Sequence, residues 1–204
     1  MNRAAVGKAL LWALLAIPAL LIVRRYLTDE DLWPGDLLQP TGLWSARLIV
    51  LALILTPLSM LLPRAPWVRW LVRNRRAFGV AAFGYALLHL VFYVLDMETV
   101  RNILAEIGAL GIWTAWAAFF CLLPMAITSN DASMRWLRRS WKRVQRLAYP
   151  AAILTLLHWM FVHDGLTEAL LTFAPLAALT LYRLARSLGG SRPSPQKLNQ
   201  GVSS

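Results

Sequence analysis

The chain has very little cysteine. Cys121 stands alone among 204 residues, so the sequence can build neither an internal disulfide nor a CxxC-type zinc site. Charge is scarce as well. Charged residues make up 15% of the sequence, against about a quarter in a soluble domain. No Asp or Glu falls mid-span in a long apolar run, which removes the paired intramembrane carboxylates of proton and ion carriers. Glycine-rich phosphate loops are missing, and so is any Ser/His/Asp arrangement suited to acyl transfer. Apolar surface is what the chain has in excess: 58% hydrophobic residues and a mean hydropathy of +0.54. The net charge is +11. A soluble enzyme, a DNA-binding module and a disulfide scaffold are all excluded, because this much apolar surface needs an apolar solvent.

Six apolar runs approach the roughly 20 residues that a helix needs to cross a hydrocarbon core about 30 Å thick. They lie near Ala9–Val23, Leu43–Leu62, Ala77–Leu95, Ile107–Ile127, Leu147–Val162 and Leu166–Leu184. The first and fifth are short and are expected to extend a little at their ends. None alternates with a period of two, so helix is the expected form and a barrel is excluded. The predicted fold is an all-α integral membrane protein, a bundle of six transmembrane helices over residues 1–186. A Gly-, Ser-, Pro- and Gln-rich stretch over 187–204 is expected to be a disordered cytoplasmic tail. Arg3 and Lys8 ahead of the first run resemble a signal peptide. Without a small-x-small cleavage site, and with Arg24-Arg25 following, an uncleaved helix is the reading adopted.

Basic residues alternate between the runs. From the N-terminus, the Lys and Arg counts of the seven flanking segments are 2, 2, 5, 1, 6, 0 and 4. The rich segments hold Arg64, Arg69, Arg73, Arg75 and Arg76, and then Arg135, Arg138, Arg139, Lys142, Arg143 and Arg146. The positive-inside rule therefore predicts cytoplasmic termini and cytoplasmic second and fourth loops, with Arg24-Arg25 as a local dissent. Tryptophan placement agrees. Trp33, Trp44, Trp113 and Trp159 are expected near the outer boundary, and Trp67, Trp70, Trp136 and Trp141 near the inner one, as an interfacial belt.

Polar groups inside the runs are few. His89 lies about 18 Å, and His158 about 16 Å, above the cytoplasmic ends of the third and fifth runs at 1.5 Å per residue. Two imidazoles at matched depth on helices of the same direction suit a metalloporphyrin held from both sides. Ala82 and Ala86 form a small-residue stripe beside His89 that would let a flat ring approach. The alternative is that each histidine makes an ordinary interhelical hydrogen bond. His163, about 140° round the helix from His158, cannot share its iron and is expected to be solvated beside Asp164, with a contact to the cofactor as the alternative. Arg47, just inside the outer end of the second run, either snorkels to the interface or pairs with a haem propionate. The basic loops determine topology, or else form a docking surface for a soluble partner or an anionic flavin.

The stretches PTGLWSARL with ILTPL, RNRRAFGVAAFGYALLHLVFY, and AITSNDASMRWLRRSWKRVQRLAYPAAILTLLHW carry a family likeness. From about Pro40 to His158 the chain resembles the MsrQ (YedZ) family, haem-binding membrane subunits of bacterial methionine sulfoxide reductase systems, within the ferric-reductase-like transmembrane group. The resemblance implies b-type haem, flavin mononucleotide, and electrons drawn from the quinol pool or a cytoplasmic flavin reductase. It implies delivery to the periplasmic molybdenum subunit MsrP in the bacterial inner membrane, for repair of oxidised proteins. His89 and His158 match the family's haem-ligand positions. One departure is Gln145, where relatives commonly have histidine, and its third-helix counterparts near Arg75 or Arg76 offer no imidazole either. One haem is therefore expected. The competing functions are a stand-alone transmembrane ferric or quinone reductase and a non-redox membrane scaffold.

Overall fold

A computed structural model describes residues 3–162 and 166–189. His163 and Asp164 lie outside the described residues, as does most of the expected tail. Nine α-helices make up the described chain. Helix α1 spans Arg3–Thr28, α2 Leu38–Leu61, α3 Pro66–Met97, α4 Val100–Glu106, α5 Leu110–Ile127, α6 Asp131–Leu137, α7 Arg139–Gln145, α8 Ala148–Val162 and α9 Leu166–Gly189. No strand occurs among the described residues.

Five segments are long and apolar enough to cross a membrane: α1, α2 with the 3-10 turn Pro34–Leu37 ahead of it, α3, α5 and α9. Helix α8 has 15 residues, which at 1.5 Å per residue is about 22 Å. The fifth run is helical from Ala148 to Val162, after which the chain lies outside the described residues up to Leu166. Helix α3 starts early, at Pro66 rather than near Ala77. Its Arg69, Arg73, Arg75 and Arg76 are helical rather than parts of a loop. The apolar run marks only the portion suited to lipid, whereas Arg, Trp and Leu continue a helix into water without penalty. Ile107 precedes α5 because the chain breaks at Gly108-Ala109, and α9 carries the helix past the expected start of the tail.

Local chemistry sets the ends. Pro66 opens α3, where a missing N–H costs nothing. Thr99 caps α4 through Asn102 N–H, and Asn130 caps α6 through Ser133 N–H at 2.7 Å. Glu98 (φ 57°) and Arg138 (φ 46°) take left-handed backbone and turn the chain between helices.

Helix α2 is the hub. It packs most extensively on α3 and also meets α8 and α9, while α5 pairs with α8. Small residues allow the close approach: Ala46, Ala82, Ala151 and Ala152 are all buried, and Ser45 Oγ donates to the Ala82 carbonyl at 2.9 Å across α2 and α3. Helix α1 is fastened differently. The buried Tyr85 hydroxyl donates to Leu15 O (2.8 Å) and accepts from Ala19 N (3.0 Å), a pair that an α-helix joins directly. The insertion follows Pro18, which already interrupts that ladder. Tyr85 also stacks on Trp44, with ring centres 5.9 Å apart. Trp44 and the buried Trp159 thus pack in the bundle, whereas Trp33, Trp67, Trp113 and Trp136 are exposed.

Candidate functional site

The bundle has an acidic end, with the connections around Asp29–Asp36 and Glu98–Glu106, and a basic end, with the start of α3 and helices α6 and α7. Near the acidic end, α3 and α8 bring His89 and His158 together. Their ring centres are 6.1 Å apart and their planes cross at 81°. Both rings are half-buried.

Each ring is anchored through Nδ1 on the first turn of a neighbouring helix. His89 Nδ1 lies 2.9 Å from Leu38 O and 3.2 Å from Thr41 Oγ1. His158 Nδ1 lies 2.8 Å from Gly111 O. A carbonyl oxygen only accepts, so each Nδ1 carries a proton, and in the neutral imidazole the lone pair then sits on Nε2. The tautomer follows from the bond, and it is the one that a metal-ligating imidazole uses.

The two anchors have the same construction. Thr41 Oγ1 donates to Leu37 O (2.6 Å) and approaches Leu38 O (3.1 Å). Thr114 Oγ1 lies 2.8 Å from both Leu110 O and Gly111 O. In both, a buried threonine three residues beyond the accepting carbonyl bonds to that same oxygen. A glycine accompanies each. A Cβ on Gly42 would stand 3.2 Å from Cε1 and Nδ1 of His89, and one on Gly111 would collide with Val162 and crowd Phe161. Only glycine lets the rings and helix ends approach this closely.

Between the helices lies a cleft with about 980 Å³ of empty space, counted out to its mouth. Its walls are mainly apolar, with Ala46, Ala86, Trp116, Phe119, Leu122 and Trp159 among them. Two imidazoles that hold one metal from opposite sides, each through a bond of about 2 Å, set their ring centres about 6 Å apart. The observed separation and donor set therefore fit a haem iron. No group of three or more His, Cys, Asp or Glu able to hold a bare metal ion occurs among the described residues.

The other expected site residues lie elsewhere. Arg47 does not line the cleft; its Nη2 is 3.8 Å from Glu168 Oε1, tying α2 to α9 with both side chains about half exposed. Gln145 and both Arg75 and Arg76 do come together, around a second cavity at the basic end. Gln145 Nε2 donates to Met125 O (3.3 Å) and Thr128 Oγ1 (3.4 Å). Thr41, Thr114, Gly42 and Gly111 were not singled out from the sequence. A Thr-Gly or Gly-x-x-Thr at a helix start hints at them, but only the helix pairing shows which histidine each one serves.

The apolar helices define a multi-pass membrane protein, and among the described residues it brings two imidazoles side by side. Residues 41–156 match the model of the ferric reductase like transmembrane component, and the chain belongs to that family. Its curated relatives include the protein-methionine-sulfoxide reductase heme-binding subunit MsrQ of Xanthomonas oryzae pv. oryzae. That relative is 36% identical over 161 residues, covering 77% of this chain and 72% of the relative. MsrQ of Xanthomonas campestris pv. campestris is 37% identical, with 74% and 70% covered. MsrQ of Brucella ovis is 36% identical, with 71% and 66% covered. No solved structure matches the chain significantly.

Proposed function

We propose that this protein is a haem-binding electron-transfer subunit of a methionine sulfoxide reductase system, with His89 and His158 as the axial ligands of one b-type haem. The observation that carries the reading is the pair of imidazoles 6.1 Å apart, each with Nδ1 held by a backbone carbonyl. The relatives named as heme-binding MsrQ subunits support it.

Bound there, haem supplies one-electron chemistry without transferring atoms. The chain's own residues do the rest. Leu38 O and Gly111 O fix the ring planes and the tautomer, and hydrogen bonding at Nδ1 raises the basicity of Nε2. Thr41 and Thr114 hold those carbonyls in turn. The apolar walls keep water from the site and favour the less charged redox state. Arg47 stands one turn from Leu43 in the cleft wall, where a propionate would compete with Glu168 for it.

In this proposal the acidic end faces the periplasm of a bacterial inner membrane, and both termini are cytoplasmic. Electrons enter from the quinol pool or a cytoplasmic flavin reductase, with flavin mononucleotide as the second cofactor. They leave to the molybdenum subunit MsrP, which reduces the sulfoxide. Protein purified from haem-replete cells should show a reduced b-type spectrum with sharp α and β bands. A colourless preparation overturns the proposal.

A further inference from the structure

The basic-end cavity is larger than the histidine cleft, with about 1230 Å³ of empty space counted to its mouth. Cations from separate parts of the chain converge on it: Arg75 and Arg76 from α3, Lys142 from α7, and Arg146 beyond it. Arg76 is already neutralised, since its Nη1 donates to Asp131 at 2.7 Å. No ion pair engages Arg75, Lys142 or Arg146 among the described residues. Arg75 donates instead to the neutral Thr56 hydroxyl at 3.4 Å. Lys142 and Arg146 stand four residues apart, so like charges face one another with no counter-charge between them.

Behind this rim the cavity changes character. Ile49, Ala52, Leu53, Ala82 and Leu122 form its depth, and Trp141 and Tyr149 border it with the amphipathic rings suited to a membrane interface. A charged mouth over an aliphatic interior matches a phosphate head on a hydrocarbon body. A soluble phosphate ester would use the mouth and leave the interior unfilled.

We propose that this cavity binds an anionic phospholipid, with its phosphate held by Arg75, Lys142 and Arg146 and an acyl chain along Ile49, Leu53 and Leu122. Basic pockets between transmembrane helices on the cytoplasmic side recognise acidic lipid heads in this way. The site is independent of the histidine pair and stands or falls without it.

The test is native mass spectrometry of the delipidated full-length protein, titrated with phosphatidylglycerol or with phosphatidylcholine of the same acyl chains. Phosphatidylglycerol should be retained at concentrations lower by about tenfold or more. Arg75→Gln/Lys142→Gln/Arg146→Gln should abolish that preference, and Lys142→Gln or Arg146→Gln alone should weaken it severalfold, which covers the case of a triple variant that does not fold. Arg64→Gln/Arg69→Gln/Arg73→Gln removes the same charge from the same end outside the cavity and should retain the preference. Equal binding of the two lipids overturns the proposal, as does equal loss in the control variant. Glycerol phosphate at matched concentration should not compete; competition would give the site to a soluble phosphate ester and overturn the lipid assignment.

Discussion

The histidine cleft and the basic cavity lie between some of the same helices, and Leu122 forms part of both walls. Helices α2, α3 and α5 line both, yet the two ends are chemically opposite. At the acidic end the cleft carries two imidazoles held at Nδ1 by carbonyls, beside the uncharged side chains of Gln39, Ser45, Tyr93 and Thr155. At the basic end they are guanidinium, ammonium and amide groups. Gln145 occupies its place by donating to Met125 O and Thr128 Oγ1, which an amide can do without offering a metal a nitrogen lone pair. One helical frame thus supports two compartments, and the side chains at a few inward positions decide what each can hold.

Removing either imidazole should have the largest effect on this contrast. His89→Ala or His158→Ala should each abolish haem binding in the purified protein, read from the reduced spectrum, while Gln145→Ala should leave haem content unchanged. Near-normal haem in a histidine variant, or its loss with Gln145→Ala, would erase the distinction between the two ends. Crowding comes next. Gly42→Ala presses on the His89 ring and Gly111→Ala on Val162, and overpacking of this kind costs about 1–3 kcal/mol. Both should lower haem retention and the melting temperature, Gly111→Ala more, because a β-branched side chain yields less than a ring edge.

A smaller effect is expected at the threonines. Thr41→Val removes a hydrogen bond of about 1 kcal/mol beside His89, so haem retention should fall about fivefold with both ligands still in place. Thr114→Val should cost less, since its hydroxyl reaches the anchoring carbonyl and not the ring. Haem-transfer kinetics would rank the two. The smallest effect belongs to the basic end. The hydrogen bond and charge of Arg76 hold the Asp131 carboxyl below its ordinary 3.8. A depressed carboxylate contributes stability that is present above the ordinary value and is lost as pH falls through the lowered one. Asp131 is fully exposed, so the contribution is slight. Asp131→Asn should flatten the acid limb of a melting-temperature profile and leave the spectrum alone.

Much of this arrangement was legible in the sequence, because depth along a helix is arithmetic. Counting residues from the basic ends of the third and fifth runs gave His89 and His158 similar heights, and their rings are in fact neighbours. The family resemblance, not counting, set Gln145 against Arg75 and Arg76. Rotation about a helix axis is another matter. Arg47 reads from the sequence either as snorkelling to the interface or as pairing with a propionate, and its position on α2 brings it to Glu168 of α9. Trp44 and Trp159 lie at belt-like heights but are turned inward. Hydropathy also reports where lipid ends rather than where helices end, hence the early start of α3. The carbonyl anchors were hidden for a related reason: a backbone acceptor has no letter of its own in the sequence.

The Tyr85 hydroxyl between Leu15 O and Ala19 N has a consequence for biogenesis. Hydrocarbon leaves an opened backbone pair nothing to bond with, and each stranded group there costs several kcal/mol. Alone in the bilayer, α1 has no N–H at Pro18 for Leu14 O, and Leu15 O and Ala19 N–H must close on each other until α3 brings the Tyr85 hydroxyl between them. The hydroxyl therefore fastens α1 to α3 only once both helices have inserted, and Tyr85→Phe would remove that fastening while leaving each helix able to form.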